Sequence, residues 1–233
     1  MYYTLYGLFI LALVIAMYAQ IRVSTVYRKY SRVGAVCKRP AYEIARMILD
    51  ENGLNYVKIE KVKGTLTDHF DPRTNTLRLS ESVYSDSSVG SVGVAAHEAG
   101  HAIQYKVGYF PVKLRGALVP ATSFASRFTW ILIFIGSLFM AVGGFFDIGY
   151  YILLFGIGLF SVTTIFQLVT LPCEFNASKR AMQALRVSGF YSGRELSASR
   201  KVLNAAALTY IAGLLVSIIQ LLRLLTLLGR RER

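Results

Sequence analysis

The stretch FTWILIFIGSLFMAVGGFFDIGYYILLFGIGLFSVTTIFQLVTL, residues 128–171, decides the fold class. It contains a single charge, Asp147. Crossing the hydrocarbon core as a helix takes about 20 mostly apolar residues. The stretch therefore predicts two spans, 128–146 and 148–171, joined by a tight hairpin at Asp147. Working outward, residues 2–19 form a third charge-free apolar block, and residues 205–228 a fourth that contains Gln220 and Arg223. The composition agrees: 54% of residues are hydrophobic and 17% charged, against about a quarter charged in a soluble domain. The apolar residues come in continuous runs and not at amphipathic spacing. The expected class is a mainly α membrane protein with about four transmembrane helices.

The first block has no basic residue ahead of it and no Ala-x-Ala site behind it, so it reads as an uncleaved anchor. Lys and Arg set the orientation. Residues 20–127 carry 16 Lys+Arg and residues 172–201 carry 6, whereas the hairpin carries only Asp147. Both polar segments are therefore expected in the cytoplasm. The chain divides into an anchor (1–19), a cytoplasmic region (20–127), a transmembrane hairpin (128–171), a cytoplasmic helical segment (172–201) and a last span with a basic tail (202–233). That tail, Arg230-Arg231-Glu232-Arg233, would lie outside if the fourth block crosses, which runs against the charge rule. Arg223 can snorkel to an interface, and crossing is the preferred reading. The net charge of +13 fits cations gathered beside a lipid bilayer. No nucleic-acid motif accompanies it, so nucleic acid is not expected as a partner. The two cysteines, Cys37 and Cys173, fall on the reducing side and read as small thiols.

Within 20–127, Ile21–Val33 is basic and aromatic and continues the first helix. Pro40 opens a short helix whose apolar face is Ile44, Ile48 and Leu49, and Gly53 ends it. Residues 56–62 alternate as a strand does. Leu66–Phe70 and Thr76–Leu79 flank the turn sequence Asp71-Pro72-Arg73-Thr74-Asn75. A sheet of about three strands is expected. Ser87 or Ser88 caps a helix over 89–106 whose middle, Val92-Gly93-Val94-Ala95-Ala96, is small enough for close burial. Residues 109–127 then lead to the membrane through Pro111 and Pro120, and 172–187 read as a separate helix opened by Pro172.

The chemistry lies in the second half of the 89–106 helix, where His97-Glu98-Ala99-Gly100-His101 fits H-E-x-x-H. Residues four apart share a helix face, so both imidazoles can reach one ion. Zinc takes imidazole nitrogen, and a catalytic zinc keeps one position open for water. Glu98 flanks that position and is the candidate general base. The motif alone has false positives. Here, however, two of the chain's three histidines form it, on an apolar helix. The site still lacks a third ligand. No His, Asp or Glu occurs in the 20 residues after His101, so the extended motif with a downstream histidine is absent. Glu174, just past the third apolar block, is the strongest candidate; an N-terminal helix charge after Pro172 explains it equally well. His69, between Asp68 and Asp71, reads as packed and hydrogen-bonded near its turn in preference to an oxyanion role.

Four segments carry a family resemblance: LTDHFDPR (66–73), VAAHEAGHAIQ (94–104), QLVTLPCEFNAS (167–178) and KVLNAAALTY (201–210). On these the chain resembles the YugP-type neutral zinc metallopeptidases of bacterial membranes, and more distantly the HtpX-type and CAAX-type membrane peptidases. The resemblance implies a zinc endopeptidase of the bacterial cytoplasmic membrane, with a zincin-like α+β catalytic region on the cytoplasmic side. It implies Zn2+ held by His97, His101 and Glu174; the substrates expected are polypeptides, either membrane proteins or soluble chains delivered to the membrane, because Glu174 lies close to the end of a span. In those relatives an Asp four residues after the Glu supports a histidine. Here Ser178 stands in that place, and a hydroxyl supplies a hydrogen bond but no charge. The competing function class is a zinc-binding membrane scaffold or a regulatory partner of a membrane protease. A transporter is disfavoured, because the second and third blocks hold no ionisable residue in their interiors.

Overall fold

The computed structural model describes residues 2–142 and 144–228; the basic tail 230–233 lies outside the described residues. The chain forms α1 (Tyr2–Tyr30), α2 (Ala41–Glu51), β1 (Lys58–Val62), β2 (His69–Asp71), β3 (Thr76–Ser80), α3 (Glu81–Tyr84), α4 (Val89–Lys106), α5 (Phe110–Ala141), α6 (Phe146–Val187) and α7 (Gly193–Leu228). It is mainly helical, and α1, α5, α6 and α7 are each long and apolar enough to cross a membrane. Two compact units result. One comprises residues 1–18, 114–170 and 210–233, and the other residues 19–113 and 171–209.

In the apolar unit, α5 and α6 pack through glycine. A Cβ on Gly136 would stand 2.6 Å from the Leu153 amide nitrogen, and one on Gly149 would stand 2.5 Å from that of Met140. Lipid tails are as apolar as the side chains, so close van der Waals contact of this kind holds spans together. Ile133, Leu153, Ile157, Phe160 and Leu224 form the buried cluster. Thr164 and Ser217 share a hydrogen bond of 2.9 Å between α6 and α7. Near the end of α7, Arg223 lies 4.0 Å from the Tyr6 ring and 4.1 Å from the Phe9 ring. The last turns of α7 thus lie beside the first turns of α1. The guanidinium is shielded by two aromatic faces.

The α+β unit is built around α4. Ser88 caps it, accepting the Ser91 amide at 3.2 Å. The small residues Val92, Ala95, Ala96 and Ala99 are fully buried, together with Ile44, Ile48 and Leu49 of α2 and Leu77 and Leu79 of β3. The sheet is mixed, in the order β1-β3-β2. β1 runs parallel to β3, and β2 antiparallel to it with Phe70 opposite Leu77. The β2–β3 turn is held by Asp71, which accepts from the Arg73 amide at 2.9 Å and the Thr74 hydroxyl at 2.8 Å, while Asn75 takes a positive φ of 49°. Arg78 at 3.0 Å is the main reason the Asp71 carboxyl sits low, at about 2.

Three details depart from the sequence reading. The turn between α5 and α6 precedes Phe146, and Asp147 lies in the first turn of α6, where a carboxylate suits the helix N-terminus. β2 begins at His69 and not Leu66, whose φ of 56° takes it out of strand geometry. Pro172 lies inside a continuous helix, so 172–187 is the end of α6 and not a separate helix. An interior proline costs about 3 kcal/mol. Past Pro172, Cys173, Ala177, Ala181 and Leu185 recur every fourth residue and are all buried, which is enough apolar burial to offset that cost.

Candidate metal site

α4 presents His97 and His101 on one face, their ring centroids 4.8 Å apart and nearly perpendicular. Glu174 of α6 meets that face. Its Oε2 lies 3.3 Å from His97 Nε2 and 3.7 Å from His101 Nε2. One ligand atom from each of the three falls within 4.8 Å of the others. The approach depends on Gly100, the second variable residue of the motif: a Cβ there would stand 2.6 Å from the Ala177 carbonyl oxygen. No side chain larger than hydrogen lets α6 bring a carboxylate so near to α4.

Burial makes this arrangement expensive unless something positive joins it. Glu174 is only 3% exposed, and an isolated buried carboxylate is strongly disfavoured. Two nitrogen donors and one oxygen donor suit a borderline cation such as zinc, and leave the remaining tetrahedral position to a non-protein ligand. The donor set therefore fits the metal. Burial pulls the His101 imidazole towards neutrality, but the Glu174 carboxylate, the charge of Glu98 and the contact with Gln104 outweigh it, and its pKa stands above the usual histidine value.

Each imidazole is oriented from behind. Ser178 Oγ lies 3.2 Å from His97 Nδ1, so the hydroxyl at the expected place does reach the ring. His101 Nδ1 lies 2.9 Å from Gln104 Oε1. Gln104 is fully buried and donates its Nε2 to the Cys173 carbonyl at 2.7 Å and to Asn176 Oδ1 at 3.1 Å. Arg180 Nε donates to the same Asn176 oxygen at 2.7 Å. Gln104 was not singled out from the sequence, although a signal existed: it is a polar residue three positions after His101, on the same face of an otherwise apolar helix.

Glu98, 9% exposed, faces β2. Its Oε2 accepts the Phe70 amide at 3.1 Å, and the Phe70 ring packs 5.7 Å from that of Tyr105 on α4. Ahead of β2, Asp68 accepts from the Ser80 amide at 2.7 Å and from its hydroxyl. Burial, with a contribution from the charge of Glu98, raises the Asp68 carboxyl above its ordinary value. His69 is exposed, its Nδ1 lies 2.9 Å from the Thr67 carbonyl, and it stands outside the three-residue cluster.

The family model described as "Putative neutral zinc metallopeptidase" matches residues 5–229. The "Putative membrane protease YugP" of Bacillus subtilis (strain 168) is 46% identical over 225 residues, covering 96% of this chain and 96% of that protein. No solved structure matches the chain. A match over nearly the full length identifies the chain as a member of the family described as "Putative neutral zinc metallopeptidase".

Proposed function

We propose that this protein is a membrane-embedded, zinc-dependent endopeptidase that works at the cytoplasmic face, with His97, His101 and Glu174 as the metal ligands and Glu98 as general base. The observation that carries the proposal is the meeting of two imidazoles and one buried carboxylate across the Gly100–Ala177 contact. When bound, zinc supplies Lewis acidity to the scissile carbonyl and lowers the pKa of water. Glu98 moves the proton: its carboxylate takes one from the attacking water and hands it to the leaving amine as the C–N bond breaks. The Phe70 amide holds Glu98 in place by one carboxylate oxygen.

Ser178 and Gln104 keep the imidazoles in the tautomer with Nδ1 protonated and Nε2 free for the metal. β2 has only β3 beside it among the described residues. An extended polypeptide can add to its outer edge next to Glu98. Membrane proteins are the proposed substrate class, because Glu174 follows directly on an apolar span. The cytoplasmic orientation rests on the concentration of Lys and Arg in 20–127 and 172–201.

The test is cleavage of unfolded casein by the purified protein. Glu98→Gln should retain about one zinc per chain and lose at least ~1,000-fold in kcat/KM, in the range expected for removing a group that acts on the reacting atoms. Cleavage by Glu98→Gln at the wild-type rate would overturn the mechanism. A zinc content far below one per chain in the wild type would overturn the metal assignment. A scaffold with structural zinc would show no cleavage, and a chelator would unfold it.

A further inference from the structure

Three cations share one cleft in the α+β unit, and no carboxylate lines it. Lys179 and Arg186 come from α6 and Arg200 from α7, around a cavity of about 550 Å³. All three side chains are exposed, and among the described residues none is engaged in an ion pair. Like charges gathered in a concavity repel one another and concentrate an anion's field. The cleft floor is different in kind, since Met182 and Leu203, both buried, line it. An occupant therefore needs an anionic group for the rim and apolar matter for the floor.

The chain positions say where such an occupant comes from. Phe175, which lines the cleft, is four residues past Leu171, where the third apolar block stops, and Asn204, which also lines it, directly precedes Ala205, where the fourth begins. Phe175 is 46% exposed, as an aromatic ring is at a membrane interface. The end of the cleft at Phe175 and Asn204 therefore lies at the depth of lipid headgroups, and an arginine fork matches phosphate oxygens in pairs. We propose that this cleft binds the phosphate of an anionic phospholipid headgroup. Ser178 lines the cleft and also touches His97 Nδ1 at 3.2 Å, so the occupant adjoins the group that orients a proposed zinc ligand. This coupling to catalysis, unlike the binding itself, rests on the zinc-peptidase reading.

The test compares two triple variants of the full chain in detergent that lose the same charge. One is Lys179→Gln/Arg186→Gln/Arg200→Gln. The other is Arg32→Gln/Arg194→Gln/Lys201→Gln, none of which lines the cleft. Phosphatidylglycerol or phosphatidylcholine is added, and retained lipid is counted by native mass spectrometry. The wild type and the second triple should prefer phosphatidylglycerol, and the cleft triple should lose at least tenfold of that retention. The single Arg200→Gln should lose about threefold, and Arg186→Lys/Arg200→Lys, which keeps the charge but not the paired hydrogen bonds, should retain more lipid than the cleft triple and less than the wild type, which guards against a folding artefact. Equal losses in both triples would show a diffuse field and overturn the site. So would displacement of the lipid by millimolar inorganic phosphate, or unchanged lipid retention with an altered preference for acidic peptides. In nanodiscs, phosphatidylglycerol should change the cleavage rate of the wild type and not of the cleft triple. Absence of cleavage in every sample would count against the peptidase reading and leave the binding result standing.

Discussion

Two helix contacts in this molecule use the same device and reach different ends. In the α+β unit Gly100 admits the Ala177 carbonyl to within 2.6 Å of where a Cβ would lie. In the apolar unit Gly149 and Gly136 admit the facing backbone just as closely. Around Gly136 and Gly149 the facing backbone belongs to Leu153, Met140 and Phe139, and the contact brings no ligating side chains together. Around Gly100 the same closeness sets Glu174 against His97 and His101 and Gln104 against Cys173. Close approach carries no chemistry by itself. A candidate metal site arises where the facing turn holds a buried carboxylate beside two imidazoles.

The strongest way to break this comparison is to add one methyl group to each contact. Gly100→Ala must push α6 away from α4, and the ligand set opens with it. The expected result is a loss of at least ~100-fold in zinc affinity, at the upper end of what disturbing ligand orientation costs, and loss of peptidase activity. Gly149→Ala should overpack the hairpin and destabilise it by about 1–3 kcal/mol, with one zinc still bound. Metal content by atomic emission and unfolding midpoints in detergent separate the two. If Gly149→Ala released zinc and Gly100→Ala kept it, the distinction between a cohesive and a functional contact would fail.

The two contacts were not equally visible in the sequence. The hairpin was legible because residues 128–171 hold one charge and little else that is polar enough to stop a span. His97, Glu98 and His101 were legible because helical spacing alone places the two imidazoles on one face. Glu174 was not: its position after Pro172 suits a helix N-terminus equally well, and only the family resemblance chose between the two. Pro172 misled for a physical reason. The rule that proline ends a helix assumes that nothing outweighs a missing hydrogen bond, and the buried row Cys173, Ala177, Ala181 and Leu185 does so here. Strand boundaries suffered from local geometry that composition does not encode, the positive φ of Leu66. The role of Gln104 stayed hidden because its partners, Cys173 and Asn176, lie about 70 residues away in the chain, at separations of 69 and 72.

A smaller effect sharpens the functional contact from within. His97 and His101 are supported unequally. Ser178 offers His97 one neutral hydroxyl, whereas Gln104 is itself held by two acceptors. Gln104→Ala should therefore weaken zinc binding by about 10–100-fold, the usual range for losing such support, and Ser178→Ala by a few-fold at most. Ser178→Asp should tighten binding, because a carboxylate raises the basicity of the imidazole it orients. Competition with a fluorescent zinc chelator measures all three. Equal losses for Gln104→Ala and Ser178→Ala would mean that support for the two ligands is shared and not separate.

The smallest expected effect is in the pH dependence, and its sign differs with and without metal. In the zinc-free protein the His101 pKa stands above its ordinary value, about 6.5 in an unfolded chain. A raised folded-state pKa stabilises the fold fully below the unfolded value, and the gain is lost as pH rises through the folded value. The chelated protein should accordingly unfold at a lower temperature at pH 8 than at pH 6. The zinc-loaded protein should do the opposite, because the metal requires neutral imidazole and protons compete for the same nitrogens. The difference in unfolding midpoint between loaded and chelated protein should widen with rising pH. Gly149→Ala should show the same widening around a lower midpoint, since its contact contains no titrating group, whereas Gly100→Ala should show little, since its zinc is lost and the Glu174 carboxylate that raises His101 has been moved away.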